Sequence, residues 1–523
     1  MAWSVAVTPI QKNTLANYVG AGWSALMGLI SVPFYIKFMG MEAYGLVGVY
    51  FTLEALFRLL DLGLSTTLNR ELALLSVSEG TAQESRDLTR TLEIIYWGIG
   101  ILIALVVIAC AGFISTRWVK AEQLSPAAVT QVIACMGGAL ALQWPSLLYE
   151  GGLHGLQKQV LWNGVVCGGI TTRVVGAMLV LWLVSPTVQA FFWWLILANG
   201  LQTAAMALAL WRVLPATSQR SRFRHDILSR ITRFSAGITG IALLSTVLTQ
   251  VDKVILSKFV TLEVFGHYMV AASVASILFQ VVSPVRIALF PRFSQLLACH
   301  DHAGLGELYH KGSQLIAVLT LPITAVLAAF ASKIIFLWTG NEQAAFHAGP
   351  ILMLLAIGTG IQAQLHVPGA LQLAYGWTTL ILGFNAVAVC LVVPLLIFLV
   401  PEFGGQGAAM VWIMYNLASL LIAVPIMHTR VLSGEFFRWF MRNIGYPGIV
   451  AIILVGLCWY FIPPQVSRFK LFVCLLGTQL VAVTGAFLAA PLALHEAMSA
   501  LGNVVILLKY GVNIMFRFHS NRK

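Results

Sequence analysis

LEALFRLLD, Leu53 to Asp61, places Glu54, Arg58 and Asp61 at i, i+4 and i+7 inside an otherwise apolar run. On a helix that spacing puts all three charges on one face. Such a stripe can pair internally or exchange one partner for a charged ligand. GGITTRVVG, Gly168 to Gly176, carries Arg173 with no acidic neighbour. Arginine stays protonated, and its planar fork binds phosphate or carboxylate oxygens two at a time. Weaker candidates are Arg286, Asn17 (on one face with Asn13), and Gln362 with His366, four apart in IQAQLHVPG. Asp252 and Lys253, adjacent in TQVDKV, form a candidate interfacial or gating pair. Each also has a structural reading. Glu54 and Arg58 can satisfy each other, Asp61 can be solvated at an interface, and Arg286 can snorkel to headgroups. Polar residues such as Asn17 and Gln362 can serve helix packing.

The elements that carry these residues follow from composition. The chain has 523 residues, 59% hydrophobic and 10% charged, with mean hydropathy +0.88. A soluble domain carries about 25% charge, so lipid is the solvent for most of this surface. Apolar runs long enough to cross a hydrocarbon core of about 30 Å recur along the chain. The expected spans are 13–38, 43–66, 91–115, 126–149, 159–184, 187–211, 232–257, 264–290, 312–337, 347–372, 377–400, 406–428, 444–462 and 470–492. The fold class is therefore an all-α polytopic membrane protein with about fourteen transmembrane helices. The start, MAWSVAVTPIQKNT, lacks a basic n-region, and the first span is expected to act as the insertion signal.

With the N-terminus inside, 21 Lys and Arg fall on the cytoplasmic side, eight on the outer side, and Arg58 and Arg173 within spans. That asymmetry is the positive-inside signature, and it places both termini in the cytoplasm. QRSRFRHDILSRITR, Gln219 to Arg233, and the tail RFHSNRK carry much of the excess. The net charge of +12 then faces an anionic leaflet rather than nucleic acid. Six of seven cysteines fall in spans. Cys299 lies in the loop CHDH, whose contiguous spacing matches no zinc site. No phosphate loop, GxSxG elbow or HExxH occurs, and no cofactor is expected. Movement across the membrane is favoured over catalysis.

KFMGMEAYG, Lys37 to Gly45, returns as KFVTLEVFG, Lys258 to Gly266, with four of nine positions identical at an offset of 221. The same offset pairs Ala21 with Ala242, Ser24 with Ser245 and Gly155 with Gly376. Six spans separate the copies, so both halves have the same orientation. Parallel repeats of this kind are a known transporter plan.

Ser31 to Ala73, SVPFYIKFMGMEAYGLVGVYFTLEALFRLLDLGLSTTLNRELA, resembles the first hairpin of bacterial polysaccharide transporters. These are the O-antigen and lipid-linked oligosaccharide flippases of the multidrug/oligosaccharidyl-lipid/polysaccharide exporter superfamily. Thr249 to Leu296 is similar to that family's seventh and eighth spans, and GGLHGLQKQVLWN, Gly151 to Asn163, to its turn between spans four and five. The resemblance implies two six-span bundles around a central cavity, two further C-terminal spans, and alternating access. It implies a lobe at 1–218, a basic linker at 219–233, a second lobe at 234–430, and two added helices with a basic tail at 431–523.

The function so implied is transfer of a polyprenyl-diphosphate-linked oligosaccharide from the inner to the outer leaflet of a bacterial cytoplasmic membrane. Arg173 and Arg58 would attract the diphosphate, with Glu54 and Asp61 balancing them in the empty state. Expected partners are the lipid-linked glycan, membrane lipids and polysaccharide-assembly proteins, with the chain acting as a monomer. A proton or sodium ion as coupling ion is left open. The alternatives are a drug antiporter of the same superfamily and a membrane-embedded sugar-transferring enzyme.

Overall fold

A computed structural model describes residues 9–76, 80–225, 239–463 and 467–495. The basic positions beyond Arg224 in the linker, and the tail RFHSNRK, lie outside these residues. The first helices are α1 (Pro9–Met39), α2 (Met41–Phe57), α3 (Leu64–Leu75), α4 (Ala82–Phe113), α5 (Pro126–Gln143), α6 (Ser146–Gly155), α7 (Gln159–Leu183) and α8 (Val188–Val213). Next come α9 (Thr239–Phe259), α10 (Leu262–Ala275), α11 (Ile277–Ala298), α12 (His302–Ala329), α13 (Ala331–Thr339), α14 (Glu342–Gln364) and α15 (His366–Ala374). The last are α16 (Thr378–Ala418), α17 (Val424–Arg430), α18 (Phe436–Trp439), α19 (Tyr446–Phe461) and α20 (Arg468–Leu488). Helices dominate because hydrocarbon leaves no partner for backbone groups other than the chain itself. Large apolar side chains such as Trp182, Phe398 and Leu480 stand exposed on them, the arrangement expected against lipid tails.

Twelve helical stretches among the described residues are long and apolar enough to cross a membrane. The expectation of fourteen is not reached by that count, for two physical reasons. α9 matches the expected span 232–257 only in part and carries Asp252, Lys253 and Lys258. The other reason is that Thr378–Arg430 counts once although it is 53 residues long. At about 1.5 Å per residue that is far longer than a bilayer core. The chain reverses within it. Gly404 has φ 54° and ψ −132°, outside helical geometry, and glycine alone takes up such a backbone without strain. A β-carbon at Gly407 would lie 2.5 Å from the Leu399 carbonyl oxygen. Eight residues along a straight helix would separate them by about 12 Å, so the two legs fold back on each other.

Contacts divide the chain into two compact units, Met1–Val270 with Asn385–Ala408, and Ala271–Phe384 with Ala409–Lys523. In the first, Leu46, Leu68, Leu92, Tyr96 and Phe192 are fully buried. In the second, Phe293, Tyr309 and Trp439 are the aromatic centre of a cluster drawn from α11, α12, α14, α15, α17 and α18. The CHDH loop ends α11 and starts α12. His300 has φ 56°, and Asp301 caps α12 by accepting from the Gly304 amide at 2.8 Å.

Candidate functional site

The first unit builds a chain of polar side chains through its interior. Arg58 Nη2 lies 3.2 Å from Glu54 Oε1, so the intrahelical pair forms. The same Glu54 oxygen accepts from Gln143 Nε2 at 2.9 Å. Gln143 Oε1 in turn accepts from Tyr50 Oη and from Asn199 Nδ2, the latter at 3.0 Å. The buried Asn199 also donates to Tyr50 Oη at 3.0 Å and to the Ala139 carbonyl at 3.1 Å. α2, α5 and α8 are thus stitched together by one network ending at a half-exposed guanidinium. Arg58, Glu54, Gln143 and Ser146 line a small cavity of about 20 Å³ there, room for about one water.

α2 ends in a tight 3-10 turn, Arg58–Asp61, closed by Leu62 and Gly63 in left-handed conformations, φ 46° and 78°. That turn takes Asp61 off the α-helical register assumed from its i+7 spacing. Asp61 accepts from Tyr96 Oη, from Ser65 Oγ at 2.8 Å, and from the Ser65 amide at 3.3 Å. Glu150 of α6 interacts electrostatically with both Arg58 and Asp61. Glu54 and Glu150 therefore both act on Arg58, while Asp61 acts on Glu150.

Arg173 lies on the face of α7 that packs on α8. Its Nη2 donates to Gln202 Oε1 at 2.8 Å, and its buried Nε has no hydrogen-bond partner among the described residues. No carboxylate pairs with it among those residues. Gly169, one turn earlier, makes the contact possible: a β-carbon there would lie 2.5 Å from the Gln202 amide. Gly176, one turn later, accommodates the Trp194 ring in the same way. Gly169 and Gly176, two of the three glycines in GGITTRVVG, are thus the sequence trace of this packing, and a neutral amide is the partner that sequence could not name.

The weaker candidates fall in separate places. Asn17 accepts from Asn163 Nδ2 at 2.7 Å, while Asn13 donates to the Gln157 carbonyl at 3.2 Å. Asp252 lies 3.5 Å from Lys253 and also accepts from Tyr268 Oη. In the second unit, Gln362 Oε1 and His366 Nε2 are buried without a partner among the described residues. Arg286 interacts electrostatically with His366. The intervening Gln364 is a packing residue, donating to Thr320 Oγ1 at 2.9 Å.

The repeated phrase meets itself. A β-carbon at Gly45 would lie 2.1 Å from the Leu262 carbonyl oxygen, and one at Gly266 would lie 2.6 Å from the Met41 carbonyl oxygen. Met41 and Leu262 are themselves 221 apart, as are Gly45 and Gly266. Gly48 faces Met269, its own counterpart, at the middle of the crossing. α2 and α10 therefore cross with near two-fold symmetry, as closely as their backbones allow.

The segment from Trp118 to Leu124 clasps that crossing. Buried Glu42 accepts the amides of Glu122 and Gln123, each at 2.8 Å, and of Leu124 at 3.3 Å. On the other copy, Trp118 Nε1 donates to Ser257 Oγ at 3.0 Å and Lys120 Nζ to the Phe259 carbonyl at 2.8 Å. The Leu262 amide donates to the Lys120 carbonyl at 2.9 Å.

This geometry has relatives. A family profile described as "Polysaccharide biosynthesis protein" matches residues 36–345, more than half of the chain. The chain belongs to that family. The chain is 24% identical over 370 residues to the succinoglycan biosynthesis transport protein ExoT of Rhizobium meliloti (strain 1021), covering 68% of each chain. It is 20% identical over 429 residues to a putative O-antigen transporter of Shigella flexneri, covering 81% of this chain and 99% of the relative. Its fold is similar to the lipid II flippase MurJ in an inward closed conformation, with TM-score 0.69, 14% identity, and 91% and 98% of the two chains covered. It is also similar to an inward-facing multidrug resistance MATE family transporter of the MOP superfamily, with TM-score 0.62, 12% identity, and 82% and 96% covered. The expected resemblance and membrane fold are confirmed.

Proposed function

We propose that this polysaccharide biosynthesis protein is a flippase for a polyprenyl-diphosphate-linked oligosaccharide, carrying it from the inner to the outer leaflet of a bacterial cytoplasmic membrane by alternating access. The observation that carries this reading is Arg173, about fifteen residues into its span, with a glutamine as its hydrogen-bond partner and its Nε without one among the described residues. A cation at that depth costs at least ~2.5 kcal/mol on insertion scales. A ligand anion offsets that cost, and a diphosphate offers the oxygens that a guanidinium binds best. Arg58 is the second cation, released to the ligand when Glu54 retains only Gln143.

The close crossing of α2 and α10 supports a conformation sealed on the side of Glu42 and Glu263, which the distribution of basic residues assigns to the exterior. Lobes at 1–218 and 234–430, the linker at 219–233, cytoplasmic termini, a monomeric chain and association with polysaccharide-assembly proteins are parts of the same proposal. The carboxylates Glu54 and Glu150 that act on Arg58, with Asp61 beside Glu150, support a second reading, export of a cationic small molecule.

Deletion of the gene separates the two. For a flippase, lipid-linked glycan accumulates on the cytoplasmic leaflet and surface glycan is lost, with drug susceptibility unchanged. Normal surface glycan with raised susceptibility to cationic drugs would overturn the flippase reading.

A further inference from the structure

A cavity of about 630 Å³ opens in the second unit, lined by α12, α18, the start of α19 and the residues just after α20. Arg286, Gln362 and His366 are not part of its lining. Its wall is held by buried polar side chains. Gln314 and Asn443 are 3% and 1% exposed, and Gln314 Nε2 donates to Asn443 Oδ1 at 3.3 Å. Gln314 Oε1 accepts the backbone amides of Leu492 at 3.0 Å and Ala493 at 3.3 Å, which ties the chain after α20 to α12. Asn443 Nδ2 lies 2.8 Å from His310 Nδ1, and Trp439 Nε1 donates to Ser313 Oγ at 2.9 Å.

Between α18 and α19 the backbone winds as a π-helical turn, Phe440–Gly445. Such turns sacrifice regular hydrogen bonding and recur where they aim a side chain. This one carries Arg442, which lines the cavity together with Arg438 and Tyr446. The acidic residues of the lining are already matched. Glu307 pairs with Lys311 at 2.9 Å, and Glu435 with Arg438 at 3.3 Å and His310 at 3.4 Å. Arg442 has no ion pair or hydrogen bond among the described residues. The lining is amphipathic, since Leu432, Pro491 and Leu492 share it. Exposed Phe437 and Leu488 sit next in sequence to the lining residues Arg438 and Ala489.

We propose that this cavity binds the phosphate headgroup of an anionic amphiphile, with Arg442 as its ion partner. The volume holds about twenty waters, far more than inorganic phosphate needs, and a headgroup with adjoining glycerol or prenyl carbon fits the mixed lining. The basic excess places this end at the cytoplasmic surface, where basic pockets between spans meet anionic headgroups. The chemistry has two sources, a bulk anionic phospholipid or a polyprenyl diphosphate. Binding at this cavity is measured without transport, so its failure leaves the flippase reading standing.

The test is thermal unfolding and lipid retention of the purified full chain in neutral detergent. The probes are phosphatidylglycerol, phosphatidylcholine, a polyprenyl diphosphate and inorganic phosphate, each added separately. Phosphatidylglycerol or the polyprenyl diphosphate should stabilise the protein, and whichever acts at lower mole fraction names the source. Arg442→Ala should bind it about tenfold more weakly, the loss of one charge-assisted contact. Arg442→Lys should retain part of the effect, and Lys470→Ala, exposed at the other end of α20, all of it. If Arg442→Ala is too unstable to purify, retention by Arg442→Lys decides. Equal stabilisation by phosphatidylcholine, an equal response to inorganic phosphate alone, or undiminished binding by the Arg442 variants would overturn the proposal.

Discussion

Gly45 rests against the Leu262 carbonyl oxygen so closely that a β-carbon would lie 2.1 Å from it, while Gly266 stands in the symmetric relation to Met41 at 2.6 Å. Van der Waals contact needs about 3.5 Å, so Gly45→Ala or Gly266→Ala must push α2 and α10 apart. The expected outcome is an opened crossing. A cysteine at Thr261, in a cysteine-free background, should react several-fold faster with a membrane-impermeant maleimide in Gly45→Ala than in its parent. Unchanged reactivity would mean that the crossing is not the seal.

Glu42 receives three backbone amides, from Glu122, Gln123 and Leu124. Hydrogen bonds to a charged acceptor contribute about 1.5–3 kcal/mol each, and stranded donors add to the loss. Glu42→Ala is expected to lower unfolding stability in detergent by on the order of 3 kcal/mol, with Glu42→Gln intermediate. Glu263, its repeat counterpart, accepts no such cluster of amides among the described residues, and Glu263→Ala should cost less.

The segment Pro215–Arg224 is held by α4. Asp87 accepts the Arg222 amide at 2.8 Å, Thr91 Oγ1 the Arg224 amide at 3.0 Å, and Arg86 Nε donates to the Pro215 carbonyl at 2.8 Å. Asp87→Ala should release this segment and raise tryptic cleavage at Arg220, Arg222 and Arg224. A loss of about 1.4 kcal/mol in local closure corresponds to a tenfold faster cut. Cleavage at the wild-type rate would show that the backbone contacts do not protect it.

The packing of Glu42 and the Leu262 region about one crossing requires both copies of the phrase on one side of the membrane. Reporter fusions near Glu42 and Glu263 are expected to read as exterior, and fusions after Arg224 and Arg517 as cytoplasmic. Opposite locations for Glu42 and Glu263 would refute the parallel repeat.

Local features were legible from sequence where a single helix decides them. The Glu54–Arg58 pair follows from spacing alone, and the apolar runs follow from the bilayer. The repeated phrase marked a shared hairpin, but not that its two copies touch, because register across helices depends on tertiary packing. Gln202 was invisible as the Arg173 partner for the same reason, although Gly169 and Gly176 left a trace in the sequence. Glu150, a lone acid in YEGG, gave no periodic signal, yet α6 brings it near Arg58 and Asp61. Asp61 was assigned the face of its neighbours because nothing in LLDLG announces the 3-10 turn. The Gly404 reversal was legible, since the expected spans 377–400 and 406–428 part at PEFGG, Pro401 to Gly405.

The most direct test of the central claim is the transfer of lipid-linked glycan across liposomes containing the purified protein, compared at equal incorporation for wild type, Arg173→Lys and Arg173→Ala. Loss of a bidentate charged contact corresponds to about 2–3 kcal/mol, or roughly 30- to 150-fold. Arg173→Ala should therefore fall to the protein-free rate, and Arg173→Lys should keep a fraction, since charge survives without the planar fork. Transfer by Arg173→Ala at the wild-type rate would contradict the proposed role of Arg173 in meeting the diphosphate.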